Sequence, residues 1–136
     1  MTLLVDTSVW SLAFRRDAPP DVPEVKMLAR ALSGEEDVVS AGVVLLELLR
    51  GFLPTRVRDS LVGRFAAVPL LEPSRNDYVA AAELINTCRR SGIQVGTIDA
   101  IIAQLAIAYD VTLLTTDQDF THAAAYIPLK VWDQDG

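Results

Sequence analysis

Five carboxylates occupy positions from which they could do chemistry together. Asp6 ends the aliphatic run Thr2 to Val5, and Asp117 and Asp119 follow the run Val111 to Thr116. Asp99 comes two residues after Thr97, in the first turn of an apolar helical pattern, and Glu47 sits inside "VVLLELLR". An acid at a helix start can also serve the backbone, by accepting from orphan N–H groups and opposing the helix dipole. That alternative is open to Asp6, Asp99, Asp117 and Asp119 but not to Glu47, which lies mid-helix. A helix apolar on nearly every side is expected to be buried. There an unpaired carboxylate is costly or takes up a proton. Glu47 therefore needs an exposed edge or a partner, either Arg50, three residues on, or a metal ion or its water.

Several acids in one crevice repel one another and raise each other's pKa values, and a divalent cation relieves that repulsion. The chain has one histidine, His122, and one cysteine, Cys88, so the donors are oxygens. Oxygen donors favour Mg²⁺ or Mn²⁺ over zinc. The chemistry suited to such a site is hydrolysis of a phosphodiester by water that the ion activates.

The elements that must position these acids follow an alternating pattern. Thr2 to Val5, Asp37 to Ser40, Val68 to Leu71, Val111 to Thr116 and Ile127 to Trp132 read as short buried strands. Helices are expected over Thr7 to Phe14, Glu24 to Leu32 and Val43 to Arg50. Others start at Pro54, run from a Ser74 cap to Arg90, and open at Thr97, whereas "DQDF" reads as a turn. Strands alternating with helices predict a three-layer α/β/α domain with a short central parallel sheet. Ligands of such sheets bind beyond the carboxyl ends of the strands, where Asp6 and Asp117 lie.

The bulk properties set bounds. A chain of 136 residues with 51% hydrophobic content is expected to form one domain with a substantial core. It shows no signal-peptide pattern and no bilayer-length apolar run, so the cytoplasm is the expected compartment. A net charge of −6 argues against general nucleic-acid binding by bulk positive charge. Bound dications would offset part of that charge where phosphate binds. Trp10 and Trp132 lie in apolar contexts and are expected to pack rather than stack on bases.

Taken in order, "LLVDTSVW", "VVLLELLRG", "GTIDAIIAQLA" and "VTLLTTDQDF" resemble the motifs of the PIN-domain ribonucleases. The nearest likeness is to the VapC toxins of toxin–antitoxin pairs, and it covers nearly all of residues 1–136. The resemblance implies a PIN-like fold and a Mg²⁺-dependent endoribonuclease whose ligands are Asp6, Glu47, Asp99 and Asp117. Asp119 would support Asp117, and Thr7, Ser8 and Thr116 would hydrogen-bond the carboxylates or bound water. It also implies a homodimer, and a cognate antitoxin whose C-terminal segment covers the acidic crevice with a basic side chain. Arg15, Arg16, Arg89 and Arg90 are the candidates for RNA backbone contacts.

Other readings fit less well. A haloacid-dehalogenase-type phosphatase needs a second aspartate where Ser8 stands. A phospho-receiver domain gives Glu47 no role, and "DQDFTH" has His122 where a calcium loop needs glycine. The non-enzymatic alternative is a PIN-like RNA-binding scaffold in which the acids only stabilise the fold.

Overall fold

The structure, a computed structural model, describes residues 1–14, 19–51 and 53–136. Four strands, β1 (Thr2–Val5), β2 (Asp37–Ala41), β3 (Leu70–Leu71) and β4 (Thr112–Leu114), form a parallel sheet in the order β3-β2-β1-β4. β1 is central, and its Leu3, Leu4 and Val5 are fully buried. That is why the strand reads as a continuous apolar run and does not alternate.

Helices α1 (Thr7–Ala13), α2 (Pro23–Arg30), α3 (Gly42–Leu49) and α4 (Thr55–Phe65) lie in the crossovers from β1 to β2 to β3. α5 (Arg75–Arg90) and α6 (Thr97–Ala108) pack on each other in the long return from β3 to β4. Right-handed crossovers place the two groups on opposite faces of the sheet, which gives the three-layer α/β/α domain. No helix among the described residues is long and apolar enough to cross a membrane.

Local chemistry sets most of the boundaries. Ser74 accepts from the Asp77 amide while the Asp77 carboxylate accepts from the Ser74 amide, a capping box that starts α5. α2 begins with Pro23 in its first turn and unwinds over Ala31–Glu35, where Gly34 adopts φ +112°. Only glycine takes that conformation without strain.

Several expected elements are shorter or different. "DQDF" is not a free turn: Gln118–Ala123 is a helix, α7, capped by Asp117. The expected strand Ile127 to Trp132 contributes one parallel bridge, Leu113 with Val131. Pro128 has no N–H to give a ladder, and Leu129 N–H turns back to the Ile127 carbonyl at 2.8 Å. The strand expected over Val68 to Leu71 shortens to its last two residues. α3 is not buried all round: Val44 is covered, while Leu46 is 61% exposed. α3 packs against α1, α4 and β2, and its other side faces solvent.

Trp10 holds the sheet-to-helix junction. Its ring stacks on Phe14 and tilts against Phe65, and its indole N–H donates to the Val5 carbonyl at 3.1 Å. The buried Ser40 hydroxyl donates to the same carbonyl at 3.1 Å, tying β2 to the end of β1. Trp10→Ala should cost about 3–5 kcal/mol of stability, the usual range for loss of a buried large aromatic. The check is the midpoint of urea unfolding, and a shift worth under about 1 kcal/mol would contradict the packing role.

Candidate active site

β1 delivers Asp6 to the carboxyl edge of the sheet, where its N–H closes the ladder onto the Leu114 carbonyl at 3.0 Å. Its own carbonyl accepts from Val9 and Trp10 and so begins α1. The side chain makes no capping hydrogen bond. It turns toward β4 instead, where the buried Thr115 hydroxyl donates to Asp6 Oδ2 at 2.8 Å and Ser8 Oγ donates to the same oxygen at 2.9 Å. Oδ1 receives neither proton. Asp6 is buried, with 5% exposure. Burial pushes its carboxyl above the ordinary aspartate range, against the lowering effect of the two hydroxyls and the nearby Thr7 and Ser8 amides.

The same hydroxyls organise the chain after β4. Thr115 Oγ1 accepts from the Asp117 amide at 3.0 Å, and Ser8 Oγ accepts from the Thr116 amide at 3.1 Å. Asp117 in turn accepts from the Asp119 amide at 2.9 Å, which starts α7. Each hydroxyl therefore gives its one proton to Asp6 and takes a backbone proton from beyond β4. Also from the first turn of α1, Thr7 Oγ1 donates to Glu47 Oε1 at 2.8 Å and joins α1 to α3. Arg50, the local partner weighed from sequence, forms none of the described ion pairs.

Asp99 faces this group from the first turn of α6. Its carboxyl is pushed up to about 6, first by burial and then by the charges of Asp6, Asp117, Glu47 and Asp119. All five acids therefore share one electrostatic neighbourhood. None of the described ion pairs involves any of them. Among the described residues, no three His, Cys, Asp or Glu side chains gather into a ready-made ligand set. The acids lie around a common space, several of them oriented by hydroxyl or amide donors. Oxygen donors with unrelieved mutual repulsion fit a hard divalent cation.

The structure thus brings together Asp6, Glu47, Asp99, Asp117 and Asp119, with Thr7 and Ser8 as donors. Thr116 takes part through its amide, whereas Thr115, one residue earlier, supplies the hydroxyl that grips Asp6. A signal for this lay in the sequence: Thr115 and Asp117 each bond the amide two residues on, the local turn habit of Thr and Asp. Arg89 and Arg90 are exposed at the end of α5, and Arg15 and Arg16 lie outside the described residues.

An aspartate in an unfolded chain ionises near about 4. Between that value and 6, folded Asp99 keeps a proton that the unfolded chain has lost, so metal-free protein should lose stability as pH rises through this window. Asp6 acts with the same sign. Melting temperature against pH in EDTA should fall from pH 4 to 6.5 and then level, with the fall reduced in Asp99→Asn. Mg²⁺ or Mn²⁺ at pH 7 should raise the melting temperature of the parent more than that of the variant. A flat profile in the parent would remove the crowding argument. Thr115→Val deletes the proton given to Asp6 and the acceptor of the Asp117 amide. It should lower stability by about 1–3 kcal/mol, read by urea unfolding.

The family model described as "PIN domain" matches residues 3–126. Comparison with curated proteins gives no sequence match. Among solved structures, VapBC2 from Rickettsia felis, solved bound to a DNA fragment from their promoter, is similar with a TM-score of 0.75 and 22% identity, covering 98% of this chain and 100% of that one. VapBC-1 from nontypeable Haemophilus influenzae gives 0.76 and 18%, covering 100% of both chains. VapC20 from Mycobacterium tuberculosis, described as a sarcin-ricin loop cleaving toxin, gives 0.67 and 17%, covering 94% of this chain and 98% of that one. At these identities the likeness concerns the fold, and the family model, which spans most of the chain and includes all five acids, makes this protein a member of the PIN-domain family.

Proposed function

We propose that the protein is a metal-dependent endoribonuclease and the toxin of a type II toxin–antitoxin pair. The observation that carries the reading is the crowding of five carboxylates at one sheet edge, with no ion pair to any of them among the described residues. Membership of the PIN family and likeness to VapC-containing structures support it.

In this reading Asp6, Asp99 and Asp117 hold Mg²⁺ or Mn²⁺ directly, and Glu47 acts through water, with Asp119 in support. The ion, when bound, supplies activation of water and neutralisation of charge on the phosphodiester. The chain supplies placement. Ser8 and Thr115 fix Asp6 by its Oδ2, and Thr7 fixes Glu47 by its Oε1. A carboxylate held by short donors cannot swing away to relieve repulsion, so the set is preorganised.

The likeness to VapBC structures supports a cognate antitoxin that covers the crevice, with an arginine or lysine standing in for the cation. An antitoxin that binds without slowing cleavage would remove this part. A homodimer belongs to the same reading, and exposed Leu46, Tyr78 and Val79 supply apolar surface for it. A monomer by light scattering at micromolar concentration would overturn that.

The test is cleavage of a mixed RNA pool with Mg²⁺, with Mn²⁺ and with EDTA, beside Asp6→Asn and Asp99→Asn. Cutting should require metal and fall roughly 10²–10³-fold or more in each variant, the scale of losing one group that stabilises developing charge. Cutting in EDTA, or cutting that survives both changes, defeats the proposal. Binding without cutting by the folded parent would favour the non-catalytic scaffold.

A further inference from the structure

The segment after the Leu113–Val131 bridge lies between α2 and α7, beside the acid-bearing end of β4. Trp132 is fixed there by its backbone, whose N–H donates to the Leu113 carbonyl at 2.8 Å. Its ring is half-buried against the core and lines two adjoining clefts. The outer cleft, of about 340 Å³, sets Lys26 and Arg30 of α2 beside the ring. The inner cleft, of about 300 Å³, passes Gln118 and Thr121 and reaches Thr115, whose hydroxyl grips Asp6.

The two clefts differ in charge. Lys26 and Arg30 reach the outer one, and their present partners, Asp21 at 2.7 Å and Glu35 at 3.6 Å, are exposed ion pairs that a phosphate can displace. Glu24, Asp133 and Asp135 line the inner one. Phosphate is repelled from the inner cleft, whereas carboxylates, hydroxyls and the Gln118 amide suit the amino and imino groups of a base edge. A partly exposed indole on a fixed backbone is a stacking platform for a base, and stacking tolerates any sequence. Such an arrangement orients a strand with its backbone outward on α2 and its base inward toward Gln118, Thr121 and Thr115.

We propose that Trp132, with Lys26 and Arg30, forms a subsite that holds one nucleotide of a single-stranded RNA in the clefts that reach Thr115, the residue that grips Asp6. This rests on the ribonuclease reading above. It also gives Trp132 a second duty beyond the packing expected of it from sequence.

The test uses the full chain carrying Asp99→Asn in EDTA, so that bound RNA stays intact, and a labelled mixed-sequence RNA of about eight nucleotides. The chain has two tryptophans, and Trp10 is 1% exposed, so fluorescence quenched by RNA reports Trp132. Quenching is expected, with Trp132→Ala weakening binding roughly 5- to 150-fold and Trp132→Phe retaining most of it. Lys26→Gln with Arg30→Gln, both exposed and safe for folding, should reduce the slope of log affinity against log salt by about 1.4. Unquenched fluorescence on binding, or unchanged affinity and slope in the folded double variant, overturns the subsite while leaving the nuclease reading intact. If the variants lose only a protein partner and keep RNA, the face is a protein contact and the subsite is overturned. A parent that neither binds nor cuts RNA fails at the earlier step, the functional reading itself.

Discussion

The arrangement depends on one buried carboxylate and the two hydroxyls that hold it. Asp6 lies at the junction of β1 and α1, and Thr115 lies just past β4. Their 2.8 Å hydrogen bond, with the 2.9 Å bond from Ser8, joins three elements at one oxygen. Without these donors, burial would drive the carboxyl to its neutral form, since a buried charge needs compensation. With them, a group that prefers water can stand buried at the end of the central strand.

From that clasp the neighbouring placements follow. Ser8 and Thr115 also receive the Thr116 and Asp117 amides, so the turn after β4 is shaped by the atoms that hold Asp6. Asp117 then caps α7, and the first turn of α6 sets Asp99 in the same electrostatic neighbourhood. Packing behind the site, with Leu3, Leu4, Leu113 and Leu114 fully buried, removes water from the crevice floor. That lowers the local dielectric and strengthens the repulsion among the acids. The stability of the sheet and the electrostatic tension at its edge thus come from the same burial.

The charge distribution is consistent with this. A protein of net charge −6 would repel RNA if its acids were spread evenly and stayed bare. Five of the eighteen acidic residues crowd at one edge, where a cation can neutralise them. Lys26 and Arg30 stay outside that group and line the outer Trp132 cleft.

The sequence by itself determined the alternation of strand and helix and the sheet class, and it singled out the candidate acids. Those features are local or periodic: a buried parallel strand must be continuously apolar, and a capped helix must begin where Ser74 can serve its first amides. Glu47 stood out because nothing local in an aliphatic helix could explain it. Tertiary structure alone decided which partner each acid takes. Glu47 is served by Thr7, forty residues away in sequence, and Asp6 by Thr115, and no periodicity encodes such pairs. It also decided that Ile127 to Trp132 would give one bridge and that one side of α3 would face solvent. Whether an apolar run is covered depends on what the rest of the chain lays against it.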